Sequence, residues 1–248
     1  MNFLGLDIPI SIPMMCTAMA ISCFAAAAQG VVGFGYAIVA VPLLSLVDPR
    51  LAPVPQILTA LPLTVMTAWR ERGDIDGRGV GWILAGRVPG LAIGALLVAV
   101  VSPRVLDVVI GLFVMVGVAC LGTVARIPRN RLIDMCAGAM SGVSGYVSGI
   151  GGPPLALLYR DASGPTIRST LGVLFAVGIV ATVVTRGAVG QVTALDLKLG
   201  AVLLAPVVLG TWLSRFLHDL IEGRGLRAAV LALSATAGIG LLLRATWP

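Results

Sequence analysis

Long apolar runs alternate with short polar or glycine-rich connections along the whole chain. A helix rising 1.5 Å per residue needs about 20 apolar residues to cross about 30 Å of hydrocarbon, and fewer where it is broken or embedded in protein. The first run predicts a helix over Ile12–Ala28. A glycine-rich stretch, Gly30-Val31-Val32-Gly33-Phe34-Gly35, follows, and then a short apolar segment, Tyr36–Val47, ended by Asp48-Pro49-Arg50. Further segments are predicted at Ala52–Trp69, Val80–Val101 and Val105–Ala125, with the polar loop Arg70–Arg78 between the first two.

The plan then recurs. Leu132–Val147 leads into Ser148-Gly149-Ile150-Gly151-Gly152-Pro153-Pro154, a short Leu155–Tyr159, and a polar connection from Arg160 to Arg168. Ser169–Thr185, Leu195–Leu217 and Leu226–Leu243 complete it. A shift of 116 residues lays Gly33, Gly35, Val39, Ala40 and Val41 over Gly149, Gly151, Leu155, Ala156 and Leu157, and Gly94 over Gly210. Pro89 falls on Pro206 at 117. The pattern predicts an all-α polytopic membrane protein of two repeats, residues 1–128 and 129–248. Each repeat holds a glycine-broken helix or re-entrant hairpin plus three spanning helices, giving 8 to 10 membrane segments in one membrane domain.

Charge fixes a sidedness. With each break read as a hairpin that returns to its own side, one face holds eleven Lys and Arg residues, including Arg70, Arg129, Arg131 and Arg168, and the other five. Short cytoplasmic loops carry such an excess. Both termini are therefore expected outside, and the two units are inverted relative to each other. Met1–Ser11 has no Lys or Arg ahead of the first apolar run, unlike a cleaved signal peptide, so Ile12 onward is expected to be a retained helix.

Composition agrees: mean hydropathy is +1.03, with 58% hydrophobic and 11% charged residues. The net charge of +6 is scattered over segment ends rather than gathered in a basic stripe, which excludes a nucleic-acid partner. Cys16, Cys23, Cys120 and Cys136 lie in or beside apolar runs without metal-ligand spacing, so neither a metal, a cofactor nor a disulfide framework is indicated.

Chemistry gathers at the breaks. Non-helical backbone at membrane depth is tolerated only inside protein or along a wet cavity. A half-helix starting after a glycine break presents unbonded N–H groups and the positive end of its dipole, which favour an anion. Gly30, Gly33, Phe34, Gly35 and Tyr36 in the first break, and Gly149, Ile150, Gly151, Gly152 and Pro153 in the second, form the expected anion site. Gln29 and Ser148 are the nearest side-chain donors, ahead of Ser144 and Tyr146. These groups serve equally as packing contacts between helices. Arg87 lies within a predicted span, eight positions past Gly79. It is read as the counter-charge of the substrate, with snorkelling or a pair with Asp74 or Asp76 as the structural reading. Asp107 and Asp134 stand within a turn of helix starts, where a carboxylate suits the dipole.

The motif Gln29-Gly30-Val31-Val32-Gly33-Phe34-Gly35-Tyr36, with Val41-Pro42-Leu43-Leu44, resembles the first characteristic region of the TauE/SafE, or sulfite-exporter, family of membrane transporters. Gly145-Tyr146-Val147-Ser148-Gly149-Ile150-Gly151-Gly152-Pro153-Pro154 resembles the matching region of its second half, although the family often continues with glycine where this chain has Pro153-Pro154. The resemblance implies a secondary transporter, an exporter, of a small anion: sulfite, a sulfonate, or a related sulfur or carboxylate compound. It further implies a multi-pass protein of the cytoplasmic membrane, with the bilayer and a small anion as its partners. Oligomeric state is not legible.

Two other classes compete. A backbone-lined anion channel uses the same glycine breaks. An intramembrane serine protease is raised by Gly142-Val143-Ser144-Gly145, but its serine needs a base and the sole histidine, His218, is expected at the membrane edge. The reading is of a transporter and not an enzyme, without catalytic residues.

Overall fold

In the computed structural model, residues 2–3, 6–7, 9–32, 35–122, 127–217, 232–240 and 242–243 are described. Two strands of two residues each, β1 (Asn2–Phe3) and β2 (Leu6–Asp7), pair antiparallel ahead of the first helix. Among the described residues, the elements after them are helical: α1 (Ile12–Val32), α2 (Tyr36–Val47), α3 (Val54–Arg70), α4 (Gly77–Val100), α5 (Pro103–Gly122), α6 (Arg131–Ser148), α7 (Gly152–Leu158), α8 (Gly164–Ala188), α9 (Ala194–Leu217) and a further helical stretch, 232–240.

Local chemistry sets the boundaries. Asp76 accepts the Gly79 N–H at 3.0 Å and starts α4, Asn130 accepts the Ile133 N–H at 2.9 Å and starts α6, and Ser163 accepts the Thr166 N–H at 3.3 Å and starts α8. This last cap changes an expectation. Ser163 and Pro165 open α8 at Gly164, so residues 164–168 are a first helical turn rather than the end of a polar loop. The first break is also narrower than expected, because α1 runs on to Val32 and takes Gln29 and Gly30 into its last turns. Leu226–Leu243 is helical over 232–240, and its earlier part lies outside the described residues, as does His218.

Among the described residues, five helices are long and apolar enough to cross a membrane, namely α1, α3 with the turn before it, α4, α8 and α9. Large apolar side chains line their outer faces, such as Val88, Leu96 and Val100 on α4 and Val184 on α8. A continuous apolar exterior of this kind suits lipid and would not persist on a soluble monomer. The chain is an all-helical polytopic membrane protein.

Small residues bring the helices together. Gly86, Gly90 and Gly94 form a stripe on α4, and Gly138 and Gly142 face it on α6. A Cβ on Gly86 would strike the Met135 carbonyl, and one on Gly138 the Ile83 carbonyl. Such close backbone approach is how helices associate where lipid is as apolar as the side chains. α9 packs on α1 through Gly210, which faces Cys23 and Ala26, and α3 packs on α8 through Gly172, which faces Thr64 and Ala68.

The two short helices lie inside this frame. At 1.5 Å per residue α2 is about 18 Å long and α7 about 10 Å, too short to span. α2 buries residues on all sides, including Tyr36, Val39, Val41 and Leu44, as an apolar helix without a polar face must. α7 rests against α5 and α6. Each break thus ends in a buried half-helix.

Polar networks close one end of the bundle. Arg168 at the start of α8 grips Glu71 at the end of α3, 2.7 Å away. Arg129 bridges Asp76 at 2.9 Å and Asp134 at 3.0 Å, stacks on Tyr159, and so joins α4, α6 and the end of α7. Burial raises the Asp76 carboxyl pKa, but the Gly79 N–H, the Tyr159 hydroxyl and Arg129 outweigh it and hold it below the ordinary value. Asp134 is therefore an ion-pair partner as well as a helix-start carboxylate.

Candidate functional site

Among the described residues, a glutamine bridges the first break. Gln29 Oε1 accepts the Tyr36 N–H at 2.9 Å, so the last turns of α1 cap the start of α2. Gly35 between them has φ 119°, a conformation that L side chains rarely adopt. The Tyr36 hydroxyl lies 2.7 Å from Thr59 Oγ1, which donates to the Gln56 carbonyl at 2.8 Å and ties α2 to α3.

The second break uses serines. Gly149, with φ 74°, ends α6. Ser148 Oγ donates to the Ser144 carbonyl at 2.7 Å and accepts the Ile150 N–H at 3.2 Å. Ser141 Oγ donates to the Gly151 carbonyl at 2.7 Å and accepts from Arg87 Nη1 at 3.2 Å. Arg87 is thereby connected to the break through one hydroxyl.

Arg87 neither snorkels nor pairs with Asp76, which is occupied by Arg129. It stands ten residues into α4, about 15 Å at 1.5 Å per residue, and is 6% exposed. Nη1 also donates to the Leu174 carbonyl at 3.2 Å, while Nε has no hydrogen-bond partner. Three glycines make its space. A Cβ on Gly178 would collide with the guanidinium, and Cβ atoms on Gly145 and Gly151 would come within 3.2 and 3.4 Å of Nη2. Among the described residues no carboxylate forms an ion pair with it. An uncompensated buried charge is strongly destabilising, and a charge inside a span is a functional candidate.

These parts enclose one cavity of about 60 Å³. Since a single water needs roughly 10–15 Å³ measured in this way, it admits a few heavy atoms. Of the residues expected from the sequence, Gln29, Gly35 and Tyr36 line it from the first break, Gly149, Gly151 and Gly152 from the second, and Arg87 from α4. The two breaks therefore meet at one place.

The others do not line this cavity. Gly30 packs against Ser214 of α9, and the Ser148 hydroxyl is used within its own break. Ile150 and Pro153 face a separate apolar crevice of about 240 Å³ between α5, α6 and α7. Gly33 and Phe34 lie outside the described residues. Ser144, the serine of the protease motif, donates to the Met140 carbonyl of its own helix at 2.9 Å.

The lining residues that escaped the sequence reading include Gln56 and Thr64 on α3, Gly145 on α6, and Gly178 and Thr182 on α8. Gln56 had a signal, being an amide inside an apolar run just after Pro53-Val54-Pro55. Gly178 had none, because its role depends on Arg87 arriving from another helix.

A family model for the sulfite exporter TauE/SafE matches residues 18–241. No curated protein and no solved structure matches the chain. The matched residues take in both breaks, Arg87 and the cavity between them, and over this span the chain belongs to the TauE/SafE sulfite exporter family of membrane transporters.

Proposed function

We propose that the protein is a secondary transporter, working as an exporter, of a small anion such as sulfite, a sulfonate or a related sulfur or carboxylate compound. The anion binds between the two glycine breaks. The observation that carries this reading is the buried cavity shared by both breaks and Arg87, whose guanidinium is the only charged group lining it among the described residues. The counter-charge is then supplied by Arg87, and among the described residues no acidic side chain stands on the cavity wall to repel the ligand.

The two halves, 1–128 and 129–248, form inverted repeats in this reading. Their packing supports it: α4 rests on α6 as α9 rests on α1, and α3 meets α8 across the centre. Gly94 faces Val143 and Tyr146, and Gly210, 116 residues on, faces Cys23 and Ala26. Inverted repeats that meet at interrupted helices near the bilayer midplane recur in secondary transporters, where one repeat rocks against the other around the site. The arginine-rich end with Glu71–Arg168 and Arg129–Asp76 faces the cytoplasm of a bacterial-type inner membrane, with both termini outside.

Purified protein in proteoliposomes tests the function. Radiolabelled sulfite is expected to show saturable counterflow, and Gly35→Leu or Gly151→Leu to abolish it while insertion remains intact. Ohmic, non-saturating sulfite current would point to a channel instead. Full counterflow in both variants would remove the breaks from the mechanism.

A further inference from the structure

Gln56 carries an unmatched pair of hydrogen-bonding atoms. Its side chain is 1% exposed and lines the cavity, yet among the described residues neither Oε1 nor Nε2 has a partner. One acceptor and one donor group of this amide are therefore left without a protein partner among the described residues. Buried side-chain amides are normally satisfied, and an exception calls for a ligand. Its carboxamide oxygen lies against Gly149, 2.9 Å from where a Cβ would stand, and Arg87 Nη2 lies against Gly151 two residues further on. The amide and the cation therefore flank the same break.

An anion made only of acceptor oxygens satisfies Arg87 and the amide N–H groups but leaves the amide oxygen unpaired. A second negative charge has no second cation on the cavity wall, where Arg87 is the only charged residue among those described. Building on the anion-transporter reading, we infer that the cavity selects a singly charged oxyanion that brings its own O–H or N–H donor, with Arg87 holding the charge and Gln56 Oε1 accepting that hydrogen. Gln56 is then the residue that sets specificity. Hydroxylated sulfonates, protonated oxyanions and short hydroxy acids fall in this class, and fully deprotonated dianions fall outside it.

Equilibrium binding to the purified protein in lipid nanodiscs tests this with matched ligands. Hydroxymethanesulfonate and ethanesulfonate have equal numbers of heavy atoms and differ by O–H for CH3, and glycolate and propionate form the same pair on a carboxylate. The hydroxylated member of the pair is expected to bind wild type about tenfold tighter or more, as leaving a buried acceptor unpaired implies. Gln56→Met, similar in volume, is expected to bring that ratio near one while ethanesulfonate or propionate binding persists. A ratio near one in wild type, or an unchanged ratio in Gln56→Met, overturns the role of Gln56 and leaves the anion site standing. Failure of all four ligands to bind wild type overturns the anion reading and this inference with it. The wild-type ratio is read without any variant, and should Gln56→Met not fold, Gln56→Asn, which draws the amide back by one methylene, is expected to lower the ratio in its place.

Discussion

Arg87 owes its position to residues that have almost no side chain. Its Nη1 is fixed by Ser141 Oγ and the Leu174 carbonyl, but the volume it fills exists because Gly178, Gly145 and Gly151 leave it open. Arginine cannot shed its charge in a protein, so the site keeps a permanent cation. This separates two kinds of glycine substitution. A Cβ at Gly178 meets only the far end of a flexible side chain, so Gly178→Ala is expected to leave the thermal midpoint close to wild type while displacing the guanidinium. Misplacing one charge-assisted contact is worth about 1.5–3 kcal/mol, so sulfite affinity should fall about tenfold or more. Titration of purified Gly178→Ala alongside its melting curve checks both halves, and unchanged affinity would mean that the guanidinium does not touch the ligand.

Helix ends were largely legible in the sequence because they are local. Tyr36–Val47 was expected and found, α4 and α6 begin and end within a few residues of their apolar runs, and α5 and α9 begin there, the expected end of α5 at Ala125 lying outside the described residues. The start of α8 was not, since a Ser163 cap and Pro165 turn polar residues into a first turn. The pairing of element ends is another matter. Nothing local says that Arg129 will bridge Asp76 or that Arg168 will seek Glu71, because each of these pairs joins segments far apart in the chain, whereas Asp134 stands only five residues from Arg129. The site divides along the same line. Its glycine framework and Arg87 could be read from spacing and from the rarity of a charge in an apolar run, whereas Gln56 and Gly178 acquire their roles only when α3, α4 and α8 converge. Asp76 gives this scale its test. Its native pKa lies below the ordinary 3.8, so its contribution is fully present above that value and is lost as the pH falls through the native one. The melting-temperature gap between wild type and Asp76→Asn should stay constant from pH 7 to about pH 5 and shrink below about pH 4. A gap that is the same at every pH would show that the carboxylate charge contributes nothing to holding α4 against α6 and α7.

At the scale of the whole molecule, the helices form a frame whose outer surface is apolar and whose centre holds a cation between two interrupted helices. Among the described residues, five helices long enough to span, two buried half-helices and a glycine stripe where α4 meets α6 serve the same end, which is to bring non-helical backbone into the interior without exposing it to lipid. Membership of the TauE/SafE family gives that interior a purpose, and the proposed inverted repeat gives it a way to open to either side in turn. The central claim is that the two breaks and Arg87 make one anion site. Equilibrium binding of radiolabelled sulfite to purified wild type and Arg87→Met tests it most directly. The account predicts saturable binding to wild type and a loss of about tenfold or more in Arg87→Met, with Arg87→Lys between the two because it keeps the charge without the fork. Equal affinity in wild type and a folded Arg87→Met protein would contradict it.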